Sequence, residues 1–138
     1  MSFLLDTNVI SELRKGERCD RSVASWFESL RPEEIFLSVL NLGELRRGIE
    51  LIRRRDRVAA EALEEWFEAL ARGFGERILP IDGQVAAEWG RIAIPDPLPV
   101  IDALLAATAK VHGLTLATRN TKDVLRTGVK CVNPFAPN

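Results

Sequence analysis

Four carboxylates stand where an acid has chemical use: Asp6, Glu44, Asp102 and Asp123. Asp6 ends the apolar run Phe3–Leu5. Glu44 falls three residues after Asn41, in what reads as the first turn of a helix. Asp102 lies in the first turn after Pro99, and Asp123 in "TRNTKD". Singly, each has an ordinary explanation. Asn41-x-x-Glu44 has the spacing of a capping box. Asp102 gains roughly 0.3–1 kcal/mol from a helix dipole. Asp123 can cap a helix or end a turn. Gathered in one place they mean something else. Two carboxylates about 5 Å apart repel by roughly 3 kcal/mol at an effective dielectric near 20. Four together must resist ionisation or hold a cation. Hard oxygen ligands, with no Cys or His cluster beside them, suit Mg²⁺ or Mn²⁺. Such an ion neutralises the acids, attracts a phosphodiester and acidifies water that attacks phosphorus.

The elements that must position these acids alternate along the chain. Phe3–Leu5 reads as a short buried strand, and Asn8 to Lys15 as a helix stopped by Gly16. Val23, Trp26, Phe27 and Leu30 recur at helical spacing before Pro32. Ile35–Val39 is a second strand, followed by the helical stripe Leu42, Leu45, Ile49 and Ile52. Asp56 is placed to cap another helix with Ala59, Leu63, Trp66, Phe67 and Leu70 inside. Ile78–Ile81, interrupted by Pro80, is expected at a sheet edge. Asp82 is expected to cap the helix carrying Val85, Ala86, Trp89 and Ile92. Residues 94–99 form a loop containing Asp96, read as exposed. Pro99 is expected as the first residue of a helix to His112, with Gly113 as its stop. Leu114–Ala117 and Cys131–Val132 complete the strands, and the tail from Asn133 is a surface segment. Strands alternating with helices predict an α/β fold: a parallel sheet covered on both faces. Its ligands belong beyond the carboxyl ends of the strands, where strand order reverses. Asp6 stands at such an end.

The bulk numbers bound the answer. The chain has 138 residues, 46% of them apolar, which suits one domain over 1–138 with a real core. No run approaches the roughly 18 apolar residues of a membrane span. No basic region precedes an apolar stretch at the N-terminus, so a secretory signal is not expected. Cys19 and Cys131 read as free thiols in a reducing cytoplasm. Net charge is −1, which gives no general footprint for nucleic acid. Arginines do crowd positions 46, 47, 53, 54, 55 and 57, interleaved with Glu50 and Asp56 and followed by Glu61 and Glu64. A solvated, salt-bridged face is the plain reading, and contact with a polyanion or an acidic partner the alternative. His112 reads as a helix-end residue, and Trp26, Trp66 and Trp89 as core or interface.

Five stretches occur in a telling order: "LLDTNVISEL" (4–13), "LSVLNLGELRRGI" (37–49), "IDGQVAAEWG" (81–90), "IDALLAATAKVHGLTLATRNTKDV" (101–124) and the terminal "NPF". They resemble the PIN-domain ribonucleases, specifically the VapC-like toxins of bacterial toxin–antitoxin pairs. The resemblance covers nearly the whole chain. It implies a single PIN-like domain with about five parallel strands in the order 3-2-1-4-5. The family's acids correspond to Asp6, Glu44, Asp102 and Asp123. Its small polar residues near the site correspond to Thr7, Asn8, Ser38, Thr118 and Asn120. Asp6 and Asp102 are the expected direct metal ligands. Glu44 and Asp123 are expected to serve a second ion or orient water, with Asn8, Thr118 and Asn120 holding the carboxylates. Two positions depart from the pattern: Val124 replaces a common aromatic residue, and Leu40–Asn41 replaces a stretch usually bearing hydroxyls.

The implied activity is Mg²⁺- or Mn²⁺-dependent cleavage of cellular RNA of the transfer or ribosomal class. The implied partner is a VapB-like antitoxin, through which the pair binds operator DNA. A cytoplasmic homodimer is the implied form. Two other readings are open on the residues: a PIN fold that grips RNA or antitoxin without cutting, and a receiver-like signalling domain with Asp82 as phosphoacceptor. Strand one ends in a single acid, and Lys130 precedes the fifth strand, which weigh against the receiver.

Overall fold

The computed structural model describes residues 1–94 and 98–136. Asp96, in the proline loop, and the last two residues of the tail lie outside them. Five strands form one parallel sheet in the order β3-β2-β1-β4-β5, as the resemblance implies. They are β1 (Phe3–Leu5), β2 (Ile35–Ser38), β3 (Ile78–Leu79), β4 (Thr115–Ala117) and β5 (Cys131–Val132). β1 is central and pairs with both β2 and β4, Leu4 lying opposite Phe36 and Leu116. β3 is an edge strand, and Pro80 falls just beyond it, where no ladder hydrogen bond is required.

Alternation along a strand sends neighbouring side chains to opposite faces. Leu4 and Leu116 join a buried cluster with Leu105, Ala106, Ala109 and Val124. Leu5 and Ala117 join the other cluster, with Val9, Ile10, Val23, Leu37 and Leu45. Helices α1 (Thr7–Leu13), α2 (Arg21–Glu28), α3 (Val39–Arg53) and α4 (Arg57–Phe74) cover this second face. Helices α5 (Gly83–Ile92), α6 (Val100–Val111) and α7 (Thr121–Leu125) cover the first. Alanines 103, 106, 107 and 109 are buried on α6, so its backbone can approach the sheet closely.

Several boundaries differ from the sequence reading, each for a local reason. β2 stops at Ser38, because the Ser38 hydroxyl accepts from the Leu40 N–H and begins α3 there. Glu44 therefore lies in the second turn of α3, and the capping box is Ser38-x-x-Asn41, not Asn41-x-x-Glu44. Pro99 is the N-cap of α6 and not its first residue; Asp102 remains in the first turn. α1 starts at Thr7, directly after Asp6, and ends by Leu13. β4 begins at Thr115 and β3 ends at Leu79. Asp123 belongs to a short helix and is not a turn acid. Asp56 and Asp82 cap α4 and α5 as expected, accepting from the Ala59 and Val85 N–H groups. His112 caps the end of α6, and Gly113 follows at φ +66°, the left-handed geometry glycine tolerates best.

Trp26 packs edge-on against Phe3, and Trp66 is half-buried beneath the Arg14 guanidinium. Trp89 is 37% exposed, which places it at the surface and not in the core. Cys19 and Cys131 are free thiols. Among the described residues no helix is long and apolar enough to cross a membrane.

Candidate active site

Strand order reverses between β1 and β4, so the crevice there opens at their carboxyl ends. Asp6 leaves β1 at this point. Its backbone N–H donates to the Ala117 carbonyl at 2.8 Å, fixing it beside the end of β4. The side chain is 9% exposed. Thr118, the first residue past β4, donates its hydroxyl to Asp6 Oδ2 at 2.7 Å. Asn8 Nδ2 reaches the same oxygen at 3.4 Å. Among the described residues nothing hydrogen-bonds Asp6 Oδ1. The Asn120 N–H donates to Thr118 Oγ1 at 3.0 Å, so the hydroxyl has one orientation available: its proton must point at Asp6.

Asp6, Asp102, Asp123 and Asn120 line one small acidic pit, floored by Leu105, Leu116 and Val124. α6 brings Asp102 from across the sheet, and α7 brings Asp123. Glu44 does not line this pit. It stands close by on α3, held by the Thr7 hydroxyl, which donates to its Oε1 at 2.6 Å. Asp102 shows that the four share one field. Its carboxyl is pushed above the usual aspartate range, first by burial and then by the charges of Asp6, Glu44 and Asp123.

This shift has a sign. A carboxyl whose pKa is raised on folding binds its proton more readily in the native state. Ionising it therefore costs stability as pH climbs through the interval from the ordinary value to the raised one, and the cost is complete above it. Asp102→Asn is expected to melt above the wild type at neutral pH. That advantage should fade as pH falls below the ordinary aspartate range. Thermal melts of both proteins across acid and neutral pH test it; a constant difference would contradict the shared field.

Of the small polar residues, Thr7, Asn8 and Thr118 touch acids. Asn120 is exposed at the rim and acts on Thr118 through its backbone. Ser38 makes no hydrogen bond to a carboxylate among the described residues; it is fully buried and caps α3. Sequence reasoning missed Asn41 as a site residue, noting it only as the start of a capping spacing and as a departure. Asn41 is fully buried, accepts from the Ser38 N–H at 2.7 Å, and donates to Thr7 Oγ1 at 3.0 Å. Asn41 thus occupies the Thr7 lone pair, and the Thr7 proton goes to Glu44. The capping spacing Ser38-x-x-Asn41 was the available signal. Asn41→Ala is expected to cost about 1–3 kcal/mol by stranding buried groups. It should cut any activity that depends on Glu44 by roughly 10–100-fold. Denaturant melts and turnover of the same preparation check the pair of effects.

Asp82 is occupied as a helix cap and does not line the pit. The donor set suits a hard divalent cation: all oxygen, with the Asp6 oxygen Oδ1 left open. Among the described residues no three acidic, cysteine or histidine side chains already stand at metal-cage spacing. The acids neighbour one another without enclosing a ready-made cage.

A model of the PIN domain matches residues 3–129. The chain is 39% identical over 140 aligned positions to the toxin FitB of Neisseria gonorrhoeae, covering 96% of this chain and 98% of FitB. It is 34% identical to the VapC ribonuclease Y4jK of Sinorhizobium fredii, covering 98% of this chain and 99% of that one. Among solved structures it is similar to FitAB bound to an IR36 DNA fragment, with TM-score 0.88, 34% identity, and 99% and 97% of the two chains covered.

Proposed function

The chain belongs to the PIN-domain family, and from that premise we propose that it is a ribonuclease toxin using Mg²⁺ or Mn²⁺. The observation that carries this reading is the acidic pit at the reversal of strand order, where Asp102 feels Asp6, Glu44 and Asp123. Asp6 and Asp102 would hold the ion, with Glu44 and Asp123 beside them. A divalent ion bound there offsets the acids' repulsion, draws in the phosphodiester and acidifies the attacking water. The rest belongs to the protein. Thr118 and Asn8 keep Asp6 from rotating. Thr7, itself fixed by Asn41, keeps Glu44 turned toward the pit. Buried Leu105, Leu116 and Val124 beneath the acids limit solvent and strengthen their field.

The substrate of this reading is cellular RNA of the transfer or ribosomal class. The likeness to toxin FitB and to the FitAB structure on DNA supports a VapB-like antitoxin partner that carries the pair to operator DNA. The reading includes a homodimer in the cytoplasm, which sedimentation and fractionation measure. The deciding experiment incubates antitoxin-free protein with total RNA, with Mn²⁺ or with EDTA. Discrete cleavage products are expected only with the metal. Absence of cutting, with RNA still bound, would make the chain a binder.

A further inference from the structure

The arginines between residues 46 and 57 fall into two groups. Arg46 and Arg53 are committed within the fold: both pair with Glu50 on α3 and Glu64 on α4. These pairs tie the α3–α4 hairpin together. Arg47, Arg54, Arg55 and Arg57 are exposed and make no ion pair or hydrogen bond among the described residues. The acids that could have quenched them are already taken: Glu50 and Glu64 by the other arginines, Asp56 by the Ala59 N–H. Glu61 is exposed and pairs with none of them.

The free group also has a direction. Residues three and four apart share a helix face. Glu44, Arg47, Leu51 and the C-cap Arg54 follow that spacing along α3, and Arg55 lies in the turn that follows. This stripe begins at the candidate site and leads away from it. Arg47 lies about 4.5 Å beyond Glu44 along the axis, and Arg54 about 15 Å. Leu51 on the stripe is 55% exposed, so no element of the fold covers it. Gly48 sits beside the stripe inside the helix, where glycine is a poor choice. A Cβ added there meets nothing within 4 Å, so packing does not require its absence.

A ribonuclease needs such a surface. The chain carries a net charge of −1, and the pit itself repels phosphate. Affinity for a polyanion must come from a local run of free cations. We propose that Arg47, Arg54 and Arg55 form a phosphate track that holds the RNA strand flanking the scissile bond. The inference rests on the ribonuclease reading. RNA is favoured over an acidic protein because the stripe starts at Glu44 and its guanidiniums are spaced along a line. Arg47 is a positioning residue: it touches the flanking backbone and not the reacting phosphate.

The test compares the wild type with Arg47→Gln/Arg54→Gln/Arg55→Gln. A second variant, Arg72→Gln, removes an exposed arginine of α4 away from the stripe. Binding of labelled oligouridylate is measured in EDTA over a salt series, and cleavage of total RNA is measured in Mn²⁺. The triple variant should bind about tenfold or more weakly, and its salt slope should fall by about 2, since each single-strand phosphate contact contributes about 0.7. Its KM should rise while kcat holds. Arg72→Gln should match the wild type. Equal affinity and slope in the triple variant would overturn the track while leaving the ribonuclease reading intact, provided the wild type cuts RNA. Equal losses in both variants would reduce the effect to net charge and overturn it too. Unchanged RNA binding with weakened capture of the antitoxin would assign these arginines to an acidic partner instead. A wild type that neither binds nor cuts RNA would remove the ribonuclease reading, and the track with it.

Discussion

Asp6→Asn is expected to reduce metal-dependent RNA cleavage by about 10²–10³-fold or more, equivalent to roughly 2.7–4 kcal/mol of transition-state stabilisation. The substitution keeps the side chain's shape and one oxygen. That oxygen can still accept the Thr118 hydroxyl, so the crevice between β1 and β4 should survive. What disappears is the negative charge at the centre of the pit. An amide neither anchors a divalent cation strongly nor adds to the field that Asp102 feels. The variant should fold, and in the absence of metal its melting temperature should equal or exceed the wild type's. Cleavage of total RNA in Mn²⁺, read beside a circular-dichroism melt, checks both halves. Near wild-type cutting by a folded Asp6→Asn protein would take Asp6 out of the role proposed for it.

The largest stability effect should come from Leu4→Ala, at about 3–5 kcal/mol. Leu4 has no exposed surface, and its strand is hydrogen-bonded on both sides. Its side chain belongs to the cluster that seats α6 through Leu105, Ala106 and Ala109. Parallel neighbours on each side restrict collapse into the cavity, which favours the upper part of the range. In a domain of this size the melting temperature should drop by roughly 10–20 °C. Leu51→Ala supplies the contrast: that leucine is 55% exposed, and its loss should lie within about 0.5 kcal/mol. Thermal melts of the two variants test the ranking. Because α6 also carries Asp102, Leu4→Ala should weaken cleavage even where the protein remains folded.

Much of this organisation was legible in the residues. Short apolar runs separated by helical stripes pointed to a parallel sheet, and an acid at the end of the first run pointed to its carboxyl edge. The wiring between the acids was less legible. Asn41-x-x-Glu44 and Ser38-x-x-Asn41 have the same capping spacing, and local sequence does not rank them. The structure chooses Ser38 because β2 ends there, and tertiary pairing with β3 and β1 determines that end. Asn41 then becomes the link between Ser38 and Thr7, a contact between residues 34 apart that no local rule anticipates. The two-residue β3 and the five-residue α7 were blurred for a simpler reason: they are too short for periodicity to show. Between residues 46 and 57, Arg46 and Arg53 share Glu64 of α4 as well as Glu50, a partner that local spacing does not reveal.

The hydrogen bond from Thr118 to Asp6 joins residues 112 apart. On a ribosome adding about 5–20 residues per second, Asp6 waits roughly 6–22 s before Thr118 is even made. Through that interval the Thr118 bond to Asp6 cannot form, because β4 docks beside β1 only after leaving the exit tunnel. Each molecule therefore gains its acidic centre only after β4 has been made and docked beside β1.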